Sequence, residues 1–169
     1  MFTEILVLVA LPLLLAAAAG WDMASFTIPN FLNLALLAVF AVFAVAAGLS
    51  FSAIGWHLLA GIIALVIGFA LFALGHIGGG DAKLFAAVVL WLGLKDFLPY
   101  ALVASVFGGL LAVGLMLLRH WPLPVFLARQ RWIMKLHDKK AGIPYGVALA
   151  AGAFILLPST EIFRLAAGA

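Results

Sequence analysis

Two aspartates lie beside long apolar stretches, where a charged side chain needs a reason. Asp81 follows three glycines in Gly78-Gly79-Gly80-Asp81-Ala82-Lys83, and Asp22 precedes Ile28-Pro29-Asn30. The chain has only six acidic residues in 169. A carboxylate in or beside a bilayer is costly unless it faces protein or water. Because glycines let another backbone approach closely, the pattern predicts a site at Asp81.

A pair of carboxylates has a characteristic chemistry. Two negative charges held a few ångströms apart in a partly dry site repel each other, so the pair tends to share one proton. One carboxylate can then act as a base toward water while the other donates a proton to a substrate carbonyl. Such a pair hydrolyses an amide without a nucleophilic side chain. If Asp22 and Asp81 meet, aspartic-peptidase chemistry is the hypothesis to test.

Each aspartate also has a purely structural interpretation. At a helix start, Asp81 would accept hydrogen bonds from backbone N–H groups and interact favourably with the helix dipole. Asp22 would be a loop acid at the membrane interface. Gly78 and Gly80 would form a tight turn, which is compatible with both interpretations of Asp81. The choice depends on where the rest of the chain positions the two acids.

Composition and hydropathy predict the fold class. The chain is 68% hydrophobic and 9% charged, whereas soluble domains average roughly 45–50% apolar and about 25% charged residues. We therefore expect an all-α integral membrane protein, with a single domain over residues 1–169 and about six transmembrane helices in one bundle. The predicted spans are residues 2–20, 31–49, 54–74, 82–95, 97–118 and 143–158.

Two boundaries near the N-terminus need interpretation. The first span could be a cleaved signal peptide, because Ala16-Ala17-Ala18 resembles a cleavage site, but residues 1–4 carry no basic side chain. We therefore expect it to remain as a membrane helix. Pro29 disfavours helical geometry at Ile28, so a break is predicted between Trp21 and Asn30. Pro29 would then lie in the first turn of the second helix.

The basic loop predicts the orientation in the membrane. Six of the nine Lys and Arg residues lie within residues 119–140, namely Arg119, Arg129, Arg131, Lys135, Lys139 and Lys140. The positive-inside rule puts this loop in the cytoplasm. Counting back through the spans puts both termini outside and puts Asp22 and Asp81 at cytoplasmic helix ends. Two acids far apart in sequence are thus expected at one membrane face.

Other features of the chain limit its partners. The basic loop contains apolar residues such as Trp132 and Met134. It would either lie on the membrane as an interfacial helix that attracts anionic lipid or a partner, or act only as a topology determinant. Its cations do not cover a domain face, so we expect no nucleic acid. The four histidines lack metal-ligand spacing and there is no cysteine, so we expect no metal and no cofactor.

Three blocks of the sequence together resemble the type IV prepilin peptidase family. Gly78-Gly79-Gly80-Asp81 fits the GxGD motif of intramembrane aspartyl proteases. Asp22 with Ile28-Pro29-Asn30 resembles the first catalytic block, and Gly142-Ile143-Pro144-Tyr145-Gly146 resembles the C-terminal block. The order of the blocks matches the small single-domain members that serve Flp-type pili. The resemblance implies that Asp22 and Asp81 are catalytic, and that substrate approaches the motif residues Gly78, Gly80, Lys83, Pro29 and Asn30.

The resemblance also implies a substrate and a location. We expect an aspartic endopeptidase of the bacterial inner (cytoplasmic) membrane that cleaves the leader peptide of a prepilin at the cytoplasmic face. Its partners would be the prepilin, the lipid bilayer and the pilus assembly machinery. Lys83 would attract an acidic residue just past the cleavage point or stabilise the charge of Asp81.

The sequence also departs from the family pattern. Bifunctional members have a cysteine-bearing N-terminal domain and methylate the new N-terminus, so we expect peptidase activity alone here. Family members often carry arginines between the first aspartate and the Ile-Pro-Asn block, whereas residues 23–27 contain none.

A non-catalytic membrane protein is the alternative interpretation. It would be an ion-coupled transporter, or a pilus-assembly factor that keeps a peptidase-like fold. A transporter would be expected to have acids near the bilayer midplane and often a repeat in its hydropathy. The sequence predicts both acids at one face and shows no repeat. An inactive relative would be expected to have lost one aspartate, and both are present.

Overall fold

Apolar helices joined by short turns build the protein, in a computed structural model that describes residues 1–124 and 126–168. Within these residues there is no strand. The helices are α1 (Phe2–Ser25, with a π-helical stretch at Leu6–Ala10), α2 (Asn30–Ala46), α3 (Phe51–Ala73), α4 (Gly79–Leu92), α5 (Leu94–Leu118), α6 (Arg131–His137), α7 (Tyr145–Leu156) and α8 (Glu161–Ala167). A 3₁₀ turn at Leu157–Ser159 joins α7 to α8.

The all-α prediction is confirmed for the described residues, and each of the six predicted spans overlaps one of the helices α1 to α5 and α7. Three of them, α1, α3 and α5, are long and apolar enough to cross a membrane. The pair formed by α7 and α8 passes the same test but is bent by 57°. Helix α4 has 14 residues and is about 21 Å long, shorter than a hydrocarbon core of about 30 Å. Six complete crossings and the side of each loop remain predictions.

The break after the first helix begins about one turn later than predicted. Helix α1 continues to Ser25, whose Oγ donates to the Trp21 carbonyl at 2.7 Å. It ends because Phe26 adopts the left-handed conformation, with φ of 60°. Pro29 is the residue before α2 rather than a member of its first turn. Asp22 is therefore a helical side chain, and its interpretation as a loop acid is wrong.

Helix α4 lies at the centre of the bundle, and most of residues 82–92 are buried. Glycines on α3 allow the two helices to pack closely, because a Cβ on Gly68 would lie 3.1 Å from Ala82 Cα. The Trp91 indole donates to the Leu36 carbonyl at 3.0 Å and so links α4 to α2. This packing fixes the position of the first turn of α4, which carries Asp81.

Helix α7 packs against α1 and α5. A Cβ on Gly152 would lie 3.2 Å from Ala104 Cα on α5, and the Tyr100 hydroxyl donates to the Leu149 carbonyl at 3.2 Å. At the start of α7, the ring of Tyr145 fills the space beside Gly108. These contacts hold the N-terminus of α7 beside the ends of α1 and α4.

Candidate active site

Asp22 lies in the last full turn of α1 and points into the bundle. Its side chain is only 3% exposed. The Phe26 N–H donates to the Asp22 carbonyl at 2.7 Å where α1 ends, so the backbone of this turn is fixed. Ionised carboxylates are rarely this buried unless a donor or cation compensates the lost hydration. A hydrogen-bond donor for Asp22 is therefore required.

Asp81 lies in the first turn of α4, three residues after Gly78. Its Oδ2 accepts from the Gly78 N–H at 3.2 Å, so the carboxylate caps the start of its own helix. The structural interpretation of Asp81 as a first-turn acid thus describes the geometry correctly. A further role for Asp81 is still possible, because the Gly78 N–H binds only Oδ2 and leaves Oδ1 without this contact.

Gly146, the second residue of α7, brings the two carboxylates together. Its N–H donates to Asp22 Oδ2 at 2.7 Å in a buried contact. The carboxylate of Asp81 lies within electrostatic range of Asp22 and near the same amide. Three segments that are distant in sequence thus meet beside one backbone N–H. This N–H is hydrogen-bonded to Asp22, and the carboxylate of Asp81 lies close by.

Ile28 packs into the space that two glycines leave open. A Cβ on Gly80 would lie 3.2 Å from both the Cβ and the backbone N of Ile28. A Cβ on Gly146 would lie 2.8 Å from Ile28 Cδ1 and 2.9 Å from Asp22 Oδ2. The glycines therefore allow the segment after α1 to lie against α4 and α7. At Gly78, the nearest occupant is Asp81 itself, whose Oδ2 would be 2.9 Å from a Cβ.

An apolar cavity of about 330 Å³ lies beside Asp81. Its wall includes Ile67, Leu71, Phe85, Phe97, Tyr145 and Leu149. Small residues of α5, among them Ala101, complete the lining. Asp81 is the acidic residue of this lining, so the cavity offers an apolar side chain a place next to a carboxylate. Its volume is at the lower end of the range of about 300–1,000 Å³ typical of small-molecule sites.

Lys83 and Asn30 lie apart from the two acids. The Lys83 ammonium donates to Asn30 Oδ1 at 2.8 Å, which joins α4 to the start of α2. Lys83 and Asp81 line different cavities, because a two-residue step turns the helix by about 200°. The structure thus brings Asp22 and Asp81 near Gly146, with Gly78 bound to Asp81 and Gly80 packed against Ile28. Lys83 and Asn30 lie in the wall of a different cavity, and Pro29 directly precedes α2.

The basic loop contacts the chain just after Asp22. Lys135 of α6 donates to the Ser25 carbonyl at 2.7 Å, and its ammonium lies 4.8 Å from the centre of the Phe26 ring. Arg119 donates to the carbonyls of Leu136 and Gly142, at 2.8 and 2.9 Å. The cations of this loop therefore link the end of α1 to the segment that leads into α7.

The sequence predicted the acids but not the residues that join them. Gly146 was visible as part of the Gly142–Gly146 block, yet nothing in the block indicated that its N–H would bind Asp22. Ile28 belongs to the Ile28-Pro29-Asn30 block and precedes a proline, but neither fact indicates its packing against Gly80 and Gly146, which shapes the site. In the described part of the chain, no group of three or more His, Cys, Asp or Glu side chains is arranged to hold a metal ion.

Comparison with known proteins gives one family match. The model of the type IV leader peptidase family matches residues 9–113, which include both aspartates and the glycine motif. The match ends before Gly146, the donor that the structure adds to the pair. No curated protein and no solved structure gives a significant match.

Proposed function

Because the chain belongs to the type IV leader peptidase family, we propose that it is an aspartic endopeptidase that removes the leader peptide of type IV prepilins of the Flp type. It acts at the cytoplasmic face of a bacterial inner membrane and has no methyltransferase activity. One observation carries the proposal: the carboxylates of Asp22 and Asp81, from the ends of two different helices, lie close enough to interact electrostatically beside the Gly146 N–H, which donates to Asp22.

The proposed reaction uses the two carboxyl groups as a unit. The ionised member accepts a proton from water, and the water oxygen attacks the carbonyl carbon of the scissile peptide bond. The protonated member donates its proton to the carbonyl oxygen, which gives a neutral tetrahedral intermediate. Collapse of the intermediate breaks the C–N bond: the leaving amine takes the proton that the base removed from water, and one hydroxyl of the intermediate returns a proton to the carboxylate that had donated one. Atoms and charges balance without any other reactant.

Hydrogen-bond donors hold the pair in place during these steps. The Gly146 N–H fixes Asp22 Oδ2, and the Gly78 N–H fixes Asp81 Oδ2. Both donors are backbone groups at the start of a helix, and that of Gly146 is buried. Donors fixed by the backbone in this way reduce the reorganisation that the carboxylates need when substrate binds. The absence of side chains at both glycines is what lets these amides come so close.

The cavity beside Asp81 suits the apolar part of a prepilin. A prepilin carries a hydrophobic helix after its leader, so the residues that follow the scissile bond are apolar. The cavity is lined by aliphatic and aromatic residues, and Asp81 lies in its wall. A side chain held there would bring the neighbouring peptide bond to the carboxylates. Proximity and orientation of this kind account for much of the rate of enzymatic reactions.

The positions of the acids favour a peptidase over a transporter. Asp22 lies near the end of α1 and Asp81 near the start of α4. Acids that couple ion transport would be expected close to the middle of membrane-spanning helices. Acids at helix ends are within reach of a peptide bond at the membrane interface. An assembly factor without activity remains the second candidate, and only an activity assay separates it from a peptidase.

The direct test is cleavage of a candidate precursor pilin from the same genome, co-expressed with the protein and followed by its size shift on a gel. Asp22→Asn and Asp81→Asn should each lower the cleavage rate by about 10²-fold or more, because each removes one half of the proton-transfer pair. The double variant should be little worse, since the residues act as a unit. Asp96→Asn, which changes an acid in the first turn of α5, should cleave normally.

Each variant must reach the membrane in wild-type amounts for the comparison to count. Normal cleavage by Asp22→Asn or by Asp81→Asn would contradict the proposed pair. No cleavage by the wild-type protein, with any pilin precursor encoded beside it, would favour the assembly factor.

A further inference from the structure

A second cavity lies between α2 and α3, on the side of α4 away from the paired acids. Its volume is about 490 Å³. We refer to it as the α2–α3 groove, and its wall includes Asn30, Asn33, Leu37, Leu58, Ile62 and Lys83. Leu58 and Ile62 are 49% and 58% exposed, so the groove opens outward from the bundle. The Asp22–Asp81 pair does not use it.

The polarity of the groove changes along its length. At one end the Lys83 ammonium donates to Asn30 Oδ1, a neutral partner. No carboxylate within residues 1–124 and 126–168 forms an ion pair with Lys83. Asn33 follows one turn along α2, about 4.5 Å deeper. Beyond Asn33 the wall is aliphatic.

Asn33 provides an independent sign that something is missing from this wall. Its side chain is 6% exposed, and neither Nδ2 nor Oδ1 has a hydrogen-bond partner. Buried polar groups are nearly always paired, so an orphaned amide calls for a ligand, a water molecule or a rotation of the side chain. Asn33 is part of the groove wall, and its Nδ2 would donate to a carbonyl of a ligand bound there.

We propose that the α2–α3 groove binds one anionic phospholipid of the surrounding membrane. The phosphate accepts hydrogen bonds from Lys83 and the Asn30 amide, an ester carbonyl faces Asn33, and one acyl chain lies along Leu37, Leu58 and Ile62. The order of charge, amide and aliphatic wall is the order of chemical groups in a phospholipid. The proposal is independent of the peptidase activity.

The setting of the groove favours a lipid over a helix of a partner protein. Leu58 and Ile62 are exposed residues of α3, a helix long and apolar enough to cross a membrane. The groove therefore opens toward the bilayer, where phospholipids are its immediate neighbours. An extended acyl chain is also narrower than a helix, whose diameter with side chains is about 10 Å.

The test measures lipid binding to the purified full-length protein by native mass spectrometry, with phosphatidylglycerol and phosphatidylcholine as probes. Wild-type protein should retain phosphatidylglycerol preferentially. Lys83→Met should weaken that binding about fivefold, the equivalent of about 1 kcal/mol for one cation near anionic lipid. Lys83→Arg should restore it. Phosphatidylcholine binding should not respond to Lys83→Met.

A second variant tests the acyl-chain part of the site. Leu34→Trp places a larger side chain in the groove wall and should weaken phosphatidylglycerol binding. Leu102→Trp on α5, which is outward-facing and outside the groove, should leave binding unchanged. Loss of binding with Lys83→Met but not with Leu34→Trp would overturn the groove site in favour of surface attraction. No loss with either variant would overturn the proposal entirely.

Crosslinking separates lipid from a protein partner. Leu37 lies in the groove wall and is replaced by the photoreactive residue benzoylphenylalanine in cells that also express a precursor pilin. Adducts of phospholipid mass support the proposal. Adducts of the pilin at this position would instead assign the groove to the substrate helix and overturn it.

Discussion

Adding one methyl group at Gly146 should separate the role of this amide from that of the acids. A Cβ at this position would lie 2.9 Å from Asp22 Oδ2, 3.0 Å from Asp22 Cβ and 2.8 Å from Ile28 Cδ1. Ordinary contacts of a Cβ begin near 3.4 Å. The carboxylate of Asp22 must therefore move by about half an ångström, away from the N–H that holds it. Gly146→Ala thus displaces the carboxylate that we propose to be catalytic without removing it.

The expected loss follows from these distances. A misplacement of about 1 Å in an active site lowers rates about 10²-fold, so half that displacement should lower the cleavage rate between about 3-fold and 100-fold. Overpacking a buried contact costs about 1–3 kcal/mol of stability. The weakened N–H bond to the carboxylate adds a contribution, because hydrogen bonds to charged groups stabilise by about 1.5–3 kcal/mol. Cleavage should fall more than the amount of folded protein does.

Two matched alanine variants make the assay decisive. Gly142→Ala changes the same block but adds a Cβ with nothing within 4 Å, so it should cleave like wild type. Gly152→Ala overpacks α7 against Ala104 and should lower the unfolding temperature with little loss of activity per folded molecule. Rates are measured on detergent-purified protein with a precursor pilin, and unfolding by thermal melt. Wild-type cleavage by Gly146→Ala would refute the role given to its N–H.

Two further predictions concern the loop and the cavity. Lys135→Met removes the contacts to Ser25 and the Phe26 ring. Limited proteolysis within residues 126–140 should become about two- to fivefold faster, since an exposed cation–π contact is worth about 0.5–1 kcal/mol. Lys139→Met makes the same charge change and should leave the proteolysis rate unchanged, and equal rates in the two variants would contradict the role given to Lys135. Ala101→Phe partly fills the cavity beside Asp81 and should lower cleavage about tenfold or more. Leu102→Phe, which faces outward, serves as its control, and an unchanged rate for Ala101→Phe would show that substrate does not use the cavity.

Hydropathy and local motifs predicted much of this structure. The predicted spans coincide largely with observed helices, because a stretch of about 20 apolar residues has few alternatives to a helix in a membrane. The first-turn position of Asp81 followed from the glycines before it. The last turn of α1 was missed because the polar residues after Gly20 resemble a loop, whereas Asp22 is buried by contact with α7. A local sequence pattern does not indicate a contact with α7, which is more than 100 residues away in the chain.

The direction of Lys83 shows what the sequence offered and what it did not. The expectation that Lys83 stabilises the charge of Asp81 left out helical periodicity, which puts Lys83 about 200° around the helix from Asp81. Its actual partner, Asn30, required the packing of α2 on α4. The same holds for the Gly146 amide, since residues 22 and 146 are brought together only by tertiary structure. The positions of the two aspartates on their helices follow from nearby sequence, whereas the donor that binds Asp22 follows only from the tertiary structure.

The dependence of Asp22 on Gly146 has a consequence for biosynthesis. Both aspartates lie in the first half of the chain and are synthesised before α5, α6 and α7. The donor at the start of α7 emerges later. Until α7 has inserted, the carboxylate of Asp22 has no such partner, and repulsion within the pair is not offset by that N–H. A nascent chain is therefore expected to possess the acids without the competent arrangement, so synthesis itself delays the appearance of proteolytic activity until the last helices are in place.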